Sequence, residues 1–152
     1  MLIAQRVMYG PTHEFRTSVP IKPKGQGRPR FGRGGHAYTP EPTRAYNNAL
    51  RDHFKKTWGD REALTGALIV RIEAEFQLPK SASKKGRAHH VQRPDVDNVA
   101  KAALDALMPE VRKHKIIWPG VIRDDAQVVE LTVKKYWSIA GNYLHVFIWS
   151  TE

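Results

Sequence analysis

The residues best suited to chemistry are two pairs of aspartates, Asp95 with Asp97 and Asp124 with Asp125. Clustered carboxylates repel and raise one another's pKa unless a cation neutralises them. Hard divalent cations such as Mg²⁺ bind through one or two carboxylates, water and phosphate oxygens. A metal bound in this way activates water and stabilises the charge that builds on a cleaved phosphate. The two acidic pairs therefore predict a metal site for phosphate chemistry.

A helix predicted over residues 95–107 sets further polar side chains beside the first pair. On a helical wheel of about 100° per residue, one polar stripe contains Asp97, Asn98, Lys101 and Asp105. The opposite arc is apolar and is expected to pack in the core. Asp95 follows Pro94, where the backbone is extended, so it is well placed to be the N-cap of this helix.

The first acidic pair is also typical of an ordinary helix start. Acids in a first turn interact favourably with the helix dipole, and Asp97 and Lys101 have the spacing of an i,i+4 ion pair. Under this interpretation the carboxylates only stabilise the helix. The second acidic pair favours the metal site, because it precedes a predicted strand in a chain dominated by basic residues.

The composition bounds the class of protein. The chain has 152 residues, of which 41% are hydrophobic, and a formal net charge of +10. It is long enough for one domain with a core, predicted to span residues 1–152. The charge favours a polyanionic partner such as nucleic acid, although charge that only keeps the protein soluble is the alternative. The absence of cysteine excludes disulfides and Cys-based zinc sites. We expect no signal peptide and no membrane span.

Two basic segments without acids are predicted to be loops. Residues 15–40 contain six Lys and Arg among many Gly and Pro, and residues 79–93 contain five. Both segments are expected to hold the DNA backbone beside the acidic centre. The candidate contacts are Lys22, Lys24, Arg28, Arg30, Arg33, Lys84, Lys85, Arg87 and Arg93. We expect the adjacent His89 and His90 to be solvated or to face phosphate rather than to bind zinc.

The remaining elements follow from hydrophobic periodicity. The predicted order is strand, helix, strand, helix, strand, strand, over residues 14–19, 41–58, 67–78, 95–107, 126–136 and 143–149. The last two strands are expected to pair as a hairpin around Gly141. A layer of helices on a mixed β-sheet accommodates this order. The fold class is therefore predicted to be α+β with α/β-like features, in β-α-β-α-β-β order.

The acidic motifs resemble those of the RusA family of Holliday junction resolvases. The matching runs are Asp95-Val-Asp97-Asn98-Val-Ala-Lys101-Ala102, then Asp105-Ala106-Leu107, then Asp124-Asp125-Ala126-Gln127-Val128-Val129. The run from Lys24 to Phe31 resembles a Lys-Gly-Arg-Pro-Arg-Phe motif of phage and prophage members, with two residues inserted. One departure is the connection over residues 108–123, which looks longer than in compact members.

The resemblance implies a metal-dependent endodeoxyribonuclease. Its expected substrates are Holliday junctions and related branched DNA, cut by symmetric hydrolysis in recombination and repair. It implies Mg²⁺ as cofactor with Mn²⁺ as a substitute, a homodimer, and the cytoplasm of a bacterium or phage-infected cell. By resemblance the metal ligands are Asp95, Asp97 and Asp125, with Asp124 as a further candidate. The essential lysine of the family falls on Lys101.

Two other functions remain open at this stage. A nuclease with a Pro-Asp…(Asp/Glu)-x-Lys site would use Pro94 and Asp95. No later acid has Lys two residues on, and Glu110 followed by Arg112 comes nearest. A non-catalytic DNA-binding module would use the two basic segments on phosphates and leave the aspartates unexplained. Added Mg²⁺ distinguishes them, because it produces cleavage or changes only affinity.

Overall fold

The computed structural model describes residues 14–80 and 89–151. The elements in chain order are β1 (Phe15–Val19), β2 (Arg30–Phe31), β3 (Ala37–Tyr38), α1 (Glu41–Trp58), β4 (Leu68–Gln77), α2 (Val96–Leu107), β5 (Glu110–Arg112), β6 (Lys115–Trp118), a 3₁₀ turn (Asp125–Gln127), β7 (Val128–Ser138) and β8 (Tyr143–Ser150). The predicted order of the main elements is confirmed. No helix in these two ranges is long and apolar enough to cross a membrane.

The principal sheet has four strands in the order β1-β8-β4-β7. Strand β8 is antiparallel to both β1 and β4, whereas β7 is parallel to β4. The sheet is therefore mixed, and with the two helices it confirms the α+β class. Strand β4 lies between β8 and β7 and is buried along most of its length, with Val70 and Ile72 fully buried.

The predicted hairpin between the last two strands is wrong. Strands β7 and β8 both pair with β4, which lies between them. The connection crosses the end of β4, where the Asn142 side-chain oxygen accepts a hydrogen bond from the Gln77 amide at 2.9 Å. A short turn near Gly141 indicated a local hairpin. The apolar β4 instead pairs with both strands, which buries it at the centre of the sheet.

The hydrophobic core lies between the sheet and the two helices. Helix α1 buries Leu50 and Phe54, and helix α2 buries Val99 and a series of alanines that includes Ala103. The small alanine side chains let α2 approach its neighbours closely. This packing fixes the direction of α2, and therefore the position of the aspartates at its start.

Two predicted irregular segments contain small hairpins. The first basic segment includes β2 paired with β3, and the connection after α2 includes β5 paired with β6. Neither was predicted, because two to four residues are too few to show a strand periodicity. The middle of the second basic segment, residues 81–88, lies outside the described residues.

Candidate active site

The carboxylate of Asp95 is free at the start of α2. The residue occupies the predicted N-cap position with extended backbone, and its carbonyl accepts a hydrogen bond from the Val99 amide at 3.0 Å. Its side chain makes no capping hydrogen bond. Because the residue is also exposed, its carboxylate remains available to a ligand. The predicted N-cap position of Asp95 is therefore confirmed, but its side chain does not form the capping hydrogen bond.

The second residue of the pair, Asp97, is likewise exposed and unpaired. The i,i+4 ion pair with Lys101 that the helix-start interpretation predicts does not form within the described chain, where the two residues make no salt bridge. Lys101 is exposed on the same stripe. Helix α2 thus presents two carboxylates and an ammonium group that have no evident structural role.

The residues that immediately precede α2 are hydrogen-bonded to the edge strand of the sheet. The Lys135 ammonium, on β7, donates hydrogen bonds to the carbonyl oxygens of Gln92 and Pro94, both at 2.7 Å. These contacts hold the residues immediately before Asp95. Lys135 was not singled out in the sequence, and no local pattern identifies a contact between residues so far apart in the chain.

The first basic segment lies directly against the start of α2. The Gln26 amide donates a hydrogen bond to the Asn98 carbonyl at 3.1 Å. A Cβ atom at Gly25 would lie 2.8 Å from the Cβ of Asn98 and 3.2 Å from that of Pro94. Only glycine permits this approach without a shift of the chain. The predicted neighbourhood of Lys24 and the acidic helix start is therefore present.

Gly25→Ala is expected to weaken cleavage and DNA binding with little change in melting temperature, since the added methyl group must push the basic segment away from α2. Gly32→Ala is the matched control, because its Cβ would meet the Tyr38 ring at an ordinary 3.7 Å. Titrations with a four-way junction measure the DNA affinity of both variants, and thermal melts measure their melting temperatures. Equal DNA binding by the two variants would contradict the proposed role of the close approach.

A cleft of about 380 Å³ lies beside the same helix start. Two predicted DNA contacts, Lys22 and Arg93, line it together with Lys80. Its aromatic wall includes Phe76 and Trp137. The structure thus brings Lys22 of the first basic segment close to Lys80 and Arg93, which lie at the two ends of the second.

The expectation that His90 is solvated or faces phosphate is wrong. Its ring is 5% exposed and stacks on Phe76 with the ring centroids 3.8 Å apart. Burial, followed by the nearby Lys135 charge, lowers the pKa of His90, which favours the neutral form of the ring. The aromatic contacts explain the burial, whereas the adjacent His89 is exposed.

The two residues of the second acidic pair have different environments. The Asp124 carboxylate accepts a hydrogen bond from the Ala126 amide at 2.7 Å, and the Gln127 side-chain oxygen accepts one from the Asp124 amide at 3.1 Å. This is a capping box that stabilises the 3₁₀ turn. Asp125 is exposed, and its carboxylate makes no hydrogen bond or ion pair with another described residue, although its carbonyl accepts a hydrogen bond from the Val128 amide. The Asp-x-x-Gln spacing was the signal that identifies Asp124 as a cap.

The two acidic pairs lie at opposite ends of α2. The Leu107 carbonyl, at the end of the helix, accepts hydrogen bonds from the Val121 and Ile122 amides, shortly before the second pair. The ten helical steps from Asp97 to Leu107 span about 15 Å. Within the described ranges, no three His, Cys, Asp or Glu side chains come close enough to hold a metal ion together. One chain therefore does not bring Asp97 and Asp125 into one site.

The chain matches one known protein family over most of its length. A sequence profile described as endodeoxyribonuclease RusA matches residues 20–148. This chain belongs to the RusA family of endodeoxyribonucleases. It is also 30% identical over 128 residues to the uncharacterized protein YqaN of Bacillus subtilis (strain 168). This alignment covers 77% of the present chain and 83% of YqaN. The RusA match extends beyond the acidic motifs to the first basic segment and the last two strands.

The remaining predicted site residues of this RusA-family chain take varied positions. Asp105 is half-buried, and its carbonyl accepts a hydrogen bond from Arg51 at 2.8 Å. The arginines of the first basic segment are exposed around β2: Arg28, Arg30 and Arg33. Those predicted in the second segment lie outside the described residues: Lys84, Lys85 and Arg87. The backbone of Asp105 thus takes part in the contact between α1 and α2.

The acidic side chains at the start of α2 fit a hard divalent cation. Asp95 and Asp97 offer carboxylate oxygens two residues apart, and neither carboxylate is engaged by another described residue. Mg²⁺ is commonly held by one or two carboxylates, with water and substrate phosphate completing its shell. The carboxylates in this half of the site therefore fit Mg²⁺ as ligands.

Proposed function

We propose that this chain is a Mg²⁺-dependent endodeoxyribonuclease that resolves Holliday junctions and related branched DNA by symmetric hydrolysis. The observation that carries the proposal is the pair of free carboxylates, Asp95 and Asp97, beside the unpaired Lys101 on α2. Mn²⁺ is expected to substitute for Mg²⁺, because oxygen ligands also suit it. Membership of the RusA family supports the choice of DNA as substrate.

Each residue of the site has a distinct role in this proposal. Asp95, Asp97 and Asp125 hold the metal, which when bound activates water and stabilises charge on the cleaved phosphate. The ammonium group of Lys101 stabilises the negative charge that grows on the phosphate oxygens. Lys24 lies in the segment fixed against α2, and Lys22 and Arg93 line the neighbouring cleft. These three cations hold the DNA backbone against an acidic centre that would otherwise repel it.

The enzyme is proposed to act as a homodimer in which each site uses two copies. Asp97 and Asp125 lie at opposite ends of α2, so Asp125 of a second copy is the residue that completes the site at Asp97. A two-fold axis makes the reciprocal contact and so produces two equivalent sites. Two symmetric sites match the paired cuts that resolve a four-way junction.

The cellular role follows from the substrate. Holliday junctions arise during recombination and repair, so the proposed role is to resolve them. The enzyme must reach bacterial or phage DNA, which places it in the cytoplasm of a bacterium or of a phage-infected cell. We propose that residues 1–152 act as one RusA-like nuclease domain.

Cleavage of a synthetic four-way junction with and without Mg²⁺ tests the proposed function. Paired nicks near the branch are expected with Mg²⁺ or Mn²⁺, and binding without cleavage is expected with EDTA. A linear duplex of the same sequence is the substrate control and should remain intact. If Mg²⁺ changes affinity but produces no cut, the chain is a non-catalytic DNA-binding protein. If the linear duplex is cut as fast as the junction, the nuclease is of another class.

A further inference from the structure

The hairpin β5–β6 has a strained two-residue turn at its tip. Lys113 and His114 have φ values of 49° and 62°, so both lie in the left-handed region. Turns of this kind prefer Asn-Gly, because a Cβ atom makes the left-handed conformation unfavourable. Here the two strained positions instead have long, polar side chains. Local rules are broken in this way most often where the side chains have a function.

The tip concentrates positive charge. Arg112 and Lys115 flank the turn, and all four consecutive residues from Arg112 to Lys115 are exposed. The run contains no acid, and it places three formal positive charges at the tip of the hairpin. A basic tip is complementary to a polyanion. It would repel the identical hairpin of a second copy.

The base of the hairpin is held rigidly. The Glu110 carboxylate accepts hydrogen bonds from Lys55 at 2.7 Å and from Arg112 at 3.0 Å. The indole of Trp118, at the end of β6, is 5% exposed. A Cβ at Gly120 would lie 2.6 Å from the Ile122 carbonyl oxygen, so the chain beyond the hairpin is also tightly fitted. The charged tip therefore projects from a fixed support.

An apolar pair lies immediately behind the basic tip. Val111 and Ile116 are partners across the two strands, and they are 57% and 67% exposed. Proteins that deform DNA place such side chains against bases that have lost a stacking neighbour. Branched DNA offers bases of this kind at the point where its arms meet. The apolar pair is thus suited to contact unstacked bases at the branch point, and the basic tip is suited to contact the phosphates of the DNA backbone.

We propose that the β5–β6 hairpin is a further DNA contact of this enzyme. The basic tip holds phosphates of one arm, and Val111 and Ile116 contact bases at the branch point. This inference rests on the proposed function, because it assumes branched DNA as the ligand. It gives the long connection after α2 a role in recognising the substrate.

Lys113→Asn/His114→Gly separates a binding role from a structural one. The substitution supplies the preferred turn residues, so the melting temperature should stay the same or rise. It also removes a phosphate-binding ammonium, so junction binding should weaken and the log-log salt slope should flatten by about 0.9. Binding is measured in EDTA, where no cleavage occurs. A lower melting temperature with an unchanged salt slope would overturn the proposal.

Two further variants have matched controls elsewhere on the surface. Lys115→Gln should flatten the log-log salt slope of junction binding by about 0.9. Its control is Lys56→Gln, which removes the same charge from an exposed position on α1 and should flatten the slope less. Ile116→Ser should lower the preference for a junction over a linear duplex. Ile139→Ser is its control, because Ile139 is 74% exposed in the β7–β8 connection. Equal effects of each variant and its control would overturn the hairpin assignment.

Two parallel measurements separate the hairpin from the proposed function. Light scattering reports the mass of each variant, and a hairpin variant that loses a dimer would assign this surface to a second copy and overturn the DNA assignment. Wild-type binding and cleavage of the junction test the proposed function itself. If the wild type is active and the hairpin variants bind and discriminate normally, only the hairpin proposal fails.

Discussion

Asp97→Asn is expected to abolish cleavage of a four-way junction while junction binding survives or improves. The amide keeps the size of the side chain but removes the charge that holds Mg²⁺. We expect the cleavage rate to fall by about 100-fold or more, as when a single transition-state contact is lost. Binding does not need this carboxylate, and removal of a negative charge favours the DNA backbone.

Single-turnover cleavage in Mg²⁺ and binding in EDTA measure the two parts of this prediction. Asp52→Asn is the matched control, because Asp52 is an exposed aspartate on α1 that makes no ion pair with another described residue. It loses the same charge at a position outside the proposed site and should cleave like the wild type. Substantial turnover by Asp97→Asn would contradict the assignment of Asp97 as a metal ligand.

Co-expression of Asp97→Asn with Asp125→Asn is expected to restore nicking that neither variant has alone. If each site takes Asp97 from one copy and Asp125 from the other, a mixed dimer contains one site with both residues intact. Random pairing makes half of the dimers mixed, so about a quarter of the wild-type sites should be active. The readout is nicking of one strand, because a mixed dimer has a single working site.

Asp95→Asn co-expressed with Asp97→Asn is the control for this rescue. Both substitutions affect the start of α2, so every site in that mixed dimer contains one of them, and no activity should return. Light scattering of the purified mixtures verifies that dimers are present. Dimers that recover no nicking in either mixture would contradict the shared site, whereas recovery only in the first mixture supports it.

The local elements and the chemistry of the acids could be predicted from the chain. Helix α1 was predicted over its observed range, because Tyr46, Leu50 and Phe54 repeat at helical spacing. Strand β4 was predicted because its apolar residues alternate. The order of the RusA motifs identified the family, because residue types and spacings can be read directly from the sequence. Periodicity and motif spacing are both properties of neighbouring residues, so no tertiary contact is needed to observe them.

The pairing of the strands and the contacts of individual carboxylates depended on the tertiary structure. The turn near Gly141 indicated a hairpin, but the burial of β4 between its partners determined the pairing. The Asp-x-x-Gln spacing is compatible with a cap at Asp124, but only the folded 3₁₀ turn shows that the capping box engages Asp124 and not Asp125. The separation of Asp97 from Asp125 follows from the direction in which α2 packs on the sheet. These outcomes depend on contacts between distant parts of the chain, whose energies are set by burial and direction rather than by local sequence.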